Sequence, residues 1–248
     1  MSQPPEPPPP RIVVGIPGPW KSRSEVVVSI VGGKTGYIAG GSVLLEIETQ
    51  TAFTLEVCGP DPSMQRAFEI AGQGRFSADQ LDEIGRHALV LYVSTSEVGP
   101  DAARAIRAAA AACLKAGGFA VKVESAGTAW PKEAWERMAA SPAPFHLYSS
   151  FVTLVGSDDV SYSCGMHQFG LPDASCPAAL PLPEAAELLN TFNMFQIVDS
   201  PTLGDGHTFS ASASEPVYRL RQRRCEMYPP GDLFHNEYGV WHLEPVRG

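Results

Sequence analysis

The sequence has few basic residues. Its 27 Asp and Glu side chains outnumber 18 Lys and Arg side chains, and the net charge is −9. Proteins that bind nucleic acids neutralise phosphates with Lys and Arg, so we expect no nucleic-acid partner. No uninterrupted apolar run reaches the ~18–20 residues that a membrane-spanning helix needs, and the first residues, MSQPPEPPPPR, lack the apolar stretch of a secretory signal. We therefore expect a cytoplasmic protein that makes no membrane contact.

Closely spaced cysteine pairs are also missing. The five cysteines are an odd number and none are spaced CxxC, which argues against a disulfide framework and against a zinc site. The stretch GGKTG at 32–36 lacks the first glycine of a phosphate-binding loop. These absences predict that the protein uses no metal and no cofactor.

What is present is typical of an α+β protein after a short tail. Residues 1–10 are mostly proline and predict a disordered tail. Residues 11–248 predict a single α+β domain, with two similar lobes at 11–86 and 87–248 as the alternative. We expect a mixed sheet with antiparallel hairpins and helices packed on it.

The clearest predicted element is a strand–helix–strand unit of two parallel strands, over 87–94, 101–116 and 119–124. Further along, apolar runs predict a strand pair at 145–155 and 160–167 and a helix at 183–195. The remaining predicted strands cover 208–212, 217–227 and 238–243.

Several fragments in this order resemble the bacterial family called domain of unknown function 4261, over roughly residues 85–245. Within that range they are HALVLYVS (87–94), AVKVES (120–125), WPKEAWERM (130–138), GMHQFGLPD (165–173) and GDGHT (204–208), together with the alanine-rich stretch 101–116, and IPGPW (16–20) precedes it. The resemblance implies a bacterial protein and a structural motif, but no established activity. The positions that carry the motif are Gly165, Phe169, Gly170, Asp173, Asp205, Gly206 and Thr208.

The stretch YSCGMHQFGLPD, residues 162–173, has two interpretations. His167 and Asp173 form a His–Asp pair for general base chemistry if the chain folds back at Gly170. Alternatively, a strand ends at Gly165, Gly170 supplies a turn and Asp173 caps it. We favour the second interpretation, and we expect Cys164 to be a small core residue rather than a nucleophile.

Two later stretches carry the other candidate side chains. Asp-Gly in GDGHT predicts a turn, yet His207 beside His167 and a carboxylate would match a metal triad in residue type. In YRLRQRR, residues 218–224, strand alternation puts Arg219, Arg221 and Arg223 on one face. That face either binds an anion or a partner, or is solvated and paired with acidic neighbours.

The sequence therefore predicts a protein that binds a partner without catalysis, by analogy with bacterial accessory and immunity proteins. The alternative is a hydrolase that uses His167 with Asp173 or His207 in a cleft between the lobes. The arginine strand is the best ligand-binding candidate in the sequence.

Overall fold

A computed structural model describes residues 12–246, and two compact units divide the chain between Ser150 and Phe151. The tail predicted at 1–10 lies outside the described residues. The α+β class is confirmed, because antiparallel and mixed sheets are combined with separate helices. No helix within residues 12–246 is long and apolar enough to cross a membrane.

The first unit is built on a seven-stranded sheet in the order β2-β3-β4-β5-β1-β6-β7, with every neighbouring pair antiparallel. Its strands are β1 (Ile12–Gly18), β2 (Tyr37–Gly40), β3 (Val43–Glu46), β4 (Ala52–Cys58), β5 (Leu89–Thr95), β6 (Ala120–Val123) and β7 (Thr128–Pro131). Its helices are α1 (Arg23–Gly32), α2 (Met64–Gly72), α3 (Ala78–Gly85), α4 (Pro100–Lys115) and α5 (Lys132–Ala140), and α6 (Pro144–Phe151) ends at the division.

The predicted strand–helix–strand unit is β5–α4–β6. Strand β1 lies between β5 and β6 and pairs antiparallel with both, so β5 and β6 run in the same direction, as predicted. The chain does not divide between residues 86 and 87, because β5 pairs with β4 on one side and with β1 on the other. Because β1 and β4 precede residue 86 and β5 follows it, a boundary at that position would divide one continuous sheet.

Helix α3 begins with the capping box that SADQ (77–80) predicts. The Ser77 hydroxyl accepts a hydrogen bond from the Gln80 backbone N–H at 3.3 Å, and the Gln80 side chain accepts one from the Ser77 N–H at 2.9 Å. The side chains thus satisfy two backbone donors that the first helical turn leaves free.

We predict that Ser77→Ala lowers the free energy of unfolding by about 1 kcal/mol, because one of these donors loses its partner. Urea denaturation measures this value. Ser63→Ala is the matched control, since Ser63 is the N-cap of α2 and its hydroxyl bonds the Asp61 side chain rather than a backbone N–H of the helix. Equal losses in the two variants would contradict the prediction.

The second unit contains one long helix and a six-stranded mixed sheet in the order β11-β12-β13-β10-β9-β8. Strands β10 and β13 are parallel and the other neighbours are antiparallel. The elements are β8 (Thr153–Gly156), β9 (Val160–Cys164), β10 (Asp173–Pro177), α7 (Leu182–Asp199), β11 (Thr208–Phe209), β12 (Tyr218–Arg223) and β13 (Val240–Pro245), with a short 3₁₀ helix at Met166–Phe169.

Helix α7 covers one face of this sheet, and the hydrophobic core of the unit lies between the helix and the sheet. Leu188, Leu189 and Phe192 lie buried in one cluster with Leu220 and Leu243 from the central strands. Helical spacing of apolar residues at i, i+3 and i+4 predicts this buried face. The prediction of the helix at 183–195 was correct but short, since the helix continues to Asp199.

The predicted strand at 145–155 was wrong in its first half. Residues Pro144–Phe151 form helix α6, and only Thr153–Gly156 is a strand. Pro144 suits a first helical turn, and the buried residues Leu147, Ser150 and Phe151 recur at helical spacing. The aromatic residues of FHLYSSF favour a strand, but the buried residues of this segment have the spacing of a helix.

Candidate functional site

A buried carboxylate lies at the point where β10 begins. Asp173 is 3 % exposed. Its Oδ1 accepts hydrogen bonds from the Met166 N–H and the Ser163 hydroxyl, both at 3.1 Å, and its Oδ2 accepts one from the Asn236 amide at 2.7 Å. The side chain therefore ties β9, the 3₁₀ helix and the segment before β13 together.

Burial raises the pKa of Asp173 to about 7, while hydrogen bonds from Asn236, Met166 and Ser163 act in the opposite direction. A carboxyl with such a pKa in an open cleft would be a candidate general acid or base. Here the residues around it enclose the group and use both of its oxygens. The cluster fits the interpretation of Asp173 as the cap of the turn, since its Oδ1 binds the first N–H of the 3₁₀ helix.

His167 lies in that 3₁₀ helix and is 2 % exposed. Neither ring nitrogen has a hydrogen-bond partner among the residues that the structure describes. Burial, with a smaller contribution from His235, lowers the pKa of His167 to about 4. The structure therefore does not bring His167 and Asp173 together as a hydrogen-bonded pair.

The backbone of this stretch explains its glycines. Gly165 has φ +126° and Gly170 has φ +72°, values that a side chain disfavours. Between them Phe169 is buried and packs edge-on against Phe151. The predicted strand at 160–167 therefore ends at Cys164, and the glycines turn the chain into β10.

Cys164 is a buried free thiol at the end of β9. Burial, together with the nearby Asp173 and Cys225, raises its pKa. A protonated, enclosed thiol is a poor nucleophile, so the geometry fits a core residue. Within residues 12–246, no group of three or more His, Cys, Asp or Glu side chains is arranged to hold a metal ion.

His207 directly precedes the edge strand β11, whereas His167 lies in the connection between β9 and β10. In the sheet, β10 and β9 are three and four positions from β11, or roughly 14–19 Å at ~4.8 Å per strand. Asp205 accepts a hydrogen bond from the Gln222 N–H at 2.9 Å, and Gly206 turns the chain with φ +84° before Thr208 pairs with Arg219. GDGHT is therefore a turn into an edge strand, and the predicted grouping of His207, His167 and a carboxylate does not form.

The arginines of β12 share one face, as strand alternation predicts. Arg221 contacts Glu244 at 3.1 Å and Asp205 at 3.5 Å, and Arg223 contacts Glu244 at 3.5 Å. Arg219 is exposed and makes no ion pair with the other residues of 12–246. Two of the three guanidinium groups therefore already have carboxylate partners, which corresponds to the solvated-face interpretation and leaves Arg219 as the available cation.

An open groove lies between α7 and the edge strand β11, and we call it the α7–β11 groove. Its volume is about 500 Å³. The helix contributes Thr191, Met194, Phe195, Val198 and Asp199, the strand contributes Thr208 and Phe209, and Leu203, His207, Ser210 and Ala211 complete the lining. Because β11 ends the sheet, one of its edges is not occupied by another strand of the described chain.

Sequence reasoning missed this groove, although a signal for it exists. Thr191, Met194, Phe195 and Val198 recur at i, i+3, i+4 and i+7, which forms a second stripe beside the buried stripe of α7. The predicted helix ends at Phe195, so Val198 lies outside it and the prediction contains only part of the stripe. The tip of the helix is what makes one wall of the groove apolar.

No protein-family model matches the chain, and comparison with curated proteins and with solved structures finds no similar chain. The resemblance to domain of unknown function 4261 therefore stays a prediction.

Proposed function

We propose that this protein is a non-catalytic binding protein that holds an extended segment of a partner polypeptide in the α7–β11 groove. The observation that carries the proposal is the pairing of an apolar helix wall with an unpaired strand edge around one open groove. Extended peptides bind such edges by adding a strand, with backbone hydrogen bonds for affinity and side-chain pockets for specificity.

The character of the groove lining supports this role. Val198 is 55 % exposed, while Met194 and Phe195 are partly buried beside it. Methionine adapts its shape to different apolar partners and is common on binding surfaces. Val198 lines the groove together with Met194 and Phe195, so the apolar surface there belongs to a group of side chains and not to one isolated residue.

The positions of the reactive side chains also favour binding over catalysis. His167, Asp173 and Cys164 are enclosed, and each has a role in packing or in the turn. His207 is the only one of the predicted catalytic residues that lines the groove, and its Nδ1 accepts a hydrogen bond from the Gly204 N–H at 3.2 Å. The hydrolase alternative therefore has no support from a shared site.

We predict that Val198→Glu weakens capture of the partner by about tenfold or more, because a carboxylate would lose solvation against the apolar wall. The measurement is quantitative affinity capture from the native host with the full chain as bait. Leu182→Glu is the matched control, since Leu182 is exposed at the other end of the same helix.

The proposal requires a protein that the wild type and Leu182→Glu recover and that Val198→Glu loses. A partner recovered equally by all three chains would place binding elsewhere. If the chain captures no protein and instead turns over a panel of ester, amide and phosphate substrates, the protein is an enzyme and the proposal is wrong.

A further inference from the structure

The charge at the end of α7 indicates which segment the groove prefers. The backbone carbonyls at a helix C-terminus carry partial negative charge. The last turn of α7 contains no basic residue, and its final residue is the exposed carboxylate Asp199. Asp199 is also part of the groove lining. Two sources of negative potential therefore coincide at one end of the groove.

Among residues 12–246, the groove lining supplies no lysine or arginine to balance that charge. His207 is its only residue of basic type, and the remaining lining is apolar or neutral apart from Asp199. The whole chain, at net charge −9, adds a long-range attraction for cations. A positively charged partner group would thus find its counter-charge at Asp199.

A second hollow of about 240 Å³ lies nearby, and Leu203 is part of the lining of both. Trp241, Leu171 and Pro172 supply apolar surface there, and Ser200, the residue after α7, lies at its rim. The negative end of the helix thus adjoins two apolar hollows. An extended segment that followed the groove would meet an apolar surface before and after the helix end.

We propose that the occupant of the α7–β11 groove is an extended segment of a partner protein that carries a lysine or arginine beside apolar anchor residues. The cation lies against Asp199 and the C-terminal carbonyls of α7, and the anchors enter the hollows on either side of Leu203. This inference rests on the proposed function, since it specifies the partner for the same groove.

The test is selection of random peptides displayed on phage against the immobilised full chain, with Val198→Glu as the counter-selection target. We expect the enriched peptides to share a Lys or Arg flanked by apolar residues. Synthetic copies should bind about 2–5-fold more weakly to Asp199→Asn than to the wild type, and binding should weaken further at high salt. Glu187→Gln, an exposed change on the same helix outside the groove, should leave the affinity unchanged.

Asp199→Lys is the sharper variant. It should abolish binding of the basic peptides, and it should not unfold the helix, because a cation is favourable at a helix C-terminus. Enrichment of peptides without basic residues, or affinities indifferent to Asp199→Lys, would overturn the inference and leave the proposed function standing. If no peptide is enriched on the wild-type chain relative to Val198→Glu, that result would instead count against the proposed function.

Discussion

Asp173→Asn should lower the free energy of unfolding by about 2–3 kcal/mol, since the amide leaves a buried donor without an acceptor. Oδ1 of Asp173 faces the Met166 N–H, and Oδ2 faces the Asn236 amide. Whichever oxygen the new NH₂ group replaces, two donors then face each other. Rotation of the Asn236 amide does not relieve this, because the amide also donates to the Leu171 carbonyl and accepts from the Tyr238 N–H.

The measurement is urea denaturation combined with hydrogen exchange of the β9 and β10 amides, which reports on the second unit. Asp199→Asn is the control, because it makes the same chemical change at an exposed carboxylate of that unit. If both variants lose less than about 0.5 kcal/mol, the value typical of surface substitutions, the Asp173 cluster does not stabilise the fold.

His167→Leu should stabilise the protein, by about 1–2 kcal/mol at neutral pH, because it removes a buried polar ring whose nitrogens have no partner in residues 12–246. The gain should grow as the solution becomes acidic. The pKa of His167 in the folded protein is about 4, below its ordinary value of 6.5. Unfolded chains therefore take up a proton at pH 5 that the folded chain excludes, and the contribution of His167 to the free energy of unfolding falls as the pH drops from 6.5 towards 4.

The added gain at pH 5 is on the order of 2 kcal/mol. Chemical denaturation at pH 7 and pH 5 measures it, with His146→Leu as the control at an exposed histidine. A His167→Leu variant that is less stable than the wild type at both pH values would show that the imidazole has a stabilising partner.

Asp173 acts in the opposite sense over the same pH range. Its folded pKa, about 7, is above its ordinary value of 3.8, so the folded chain keeps a proton that the unfolded chain releases. The stability contributed by this group is therefore lost as the pH rises through 7. The pH dependences of stability due to His167 and Asp173 largely offset each other in the wild type. The Asp173→Asn variant should therefore show the pH dependence due to His167, and the His167→Leu variant should show the one due to Asp173.

Local chemistry explains which elements could be predicted. The capping box of SADQ, the alanine-rich helix α4 and the alternating strand β12 depend on neighbours within a few residues, so their patterns are visible in the chain. The error at Pro144–Phe151 has the same origin, because FHLYSSF suits a strand or a helix until burial selects one face. The glycines at 165 and 170 were correctly interpreted as backbone features, since only left-handed φ values require them.

By itself the sequence determined the α+β class, most of the elements and the turns of GMHQFGLPD and GDGHT, because propensity, spacing and caps act over short distances. Only the tertiary structure decided which side chains meet. Strand order separates His167 from His207. Asn236, 63 residues further along the chain, donates a hydrogen bond to Asp173. Strand β11 lies beside the C-terminal end of α7. Strand order and long-range contacts depend on how whole elements pack, which no short stretch of sequence contains.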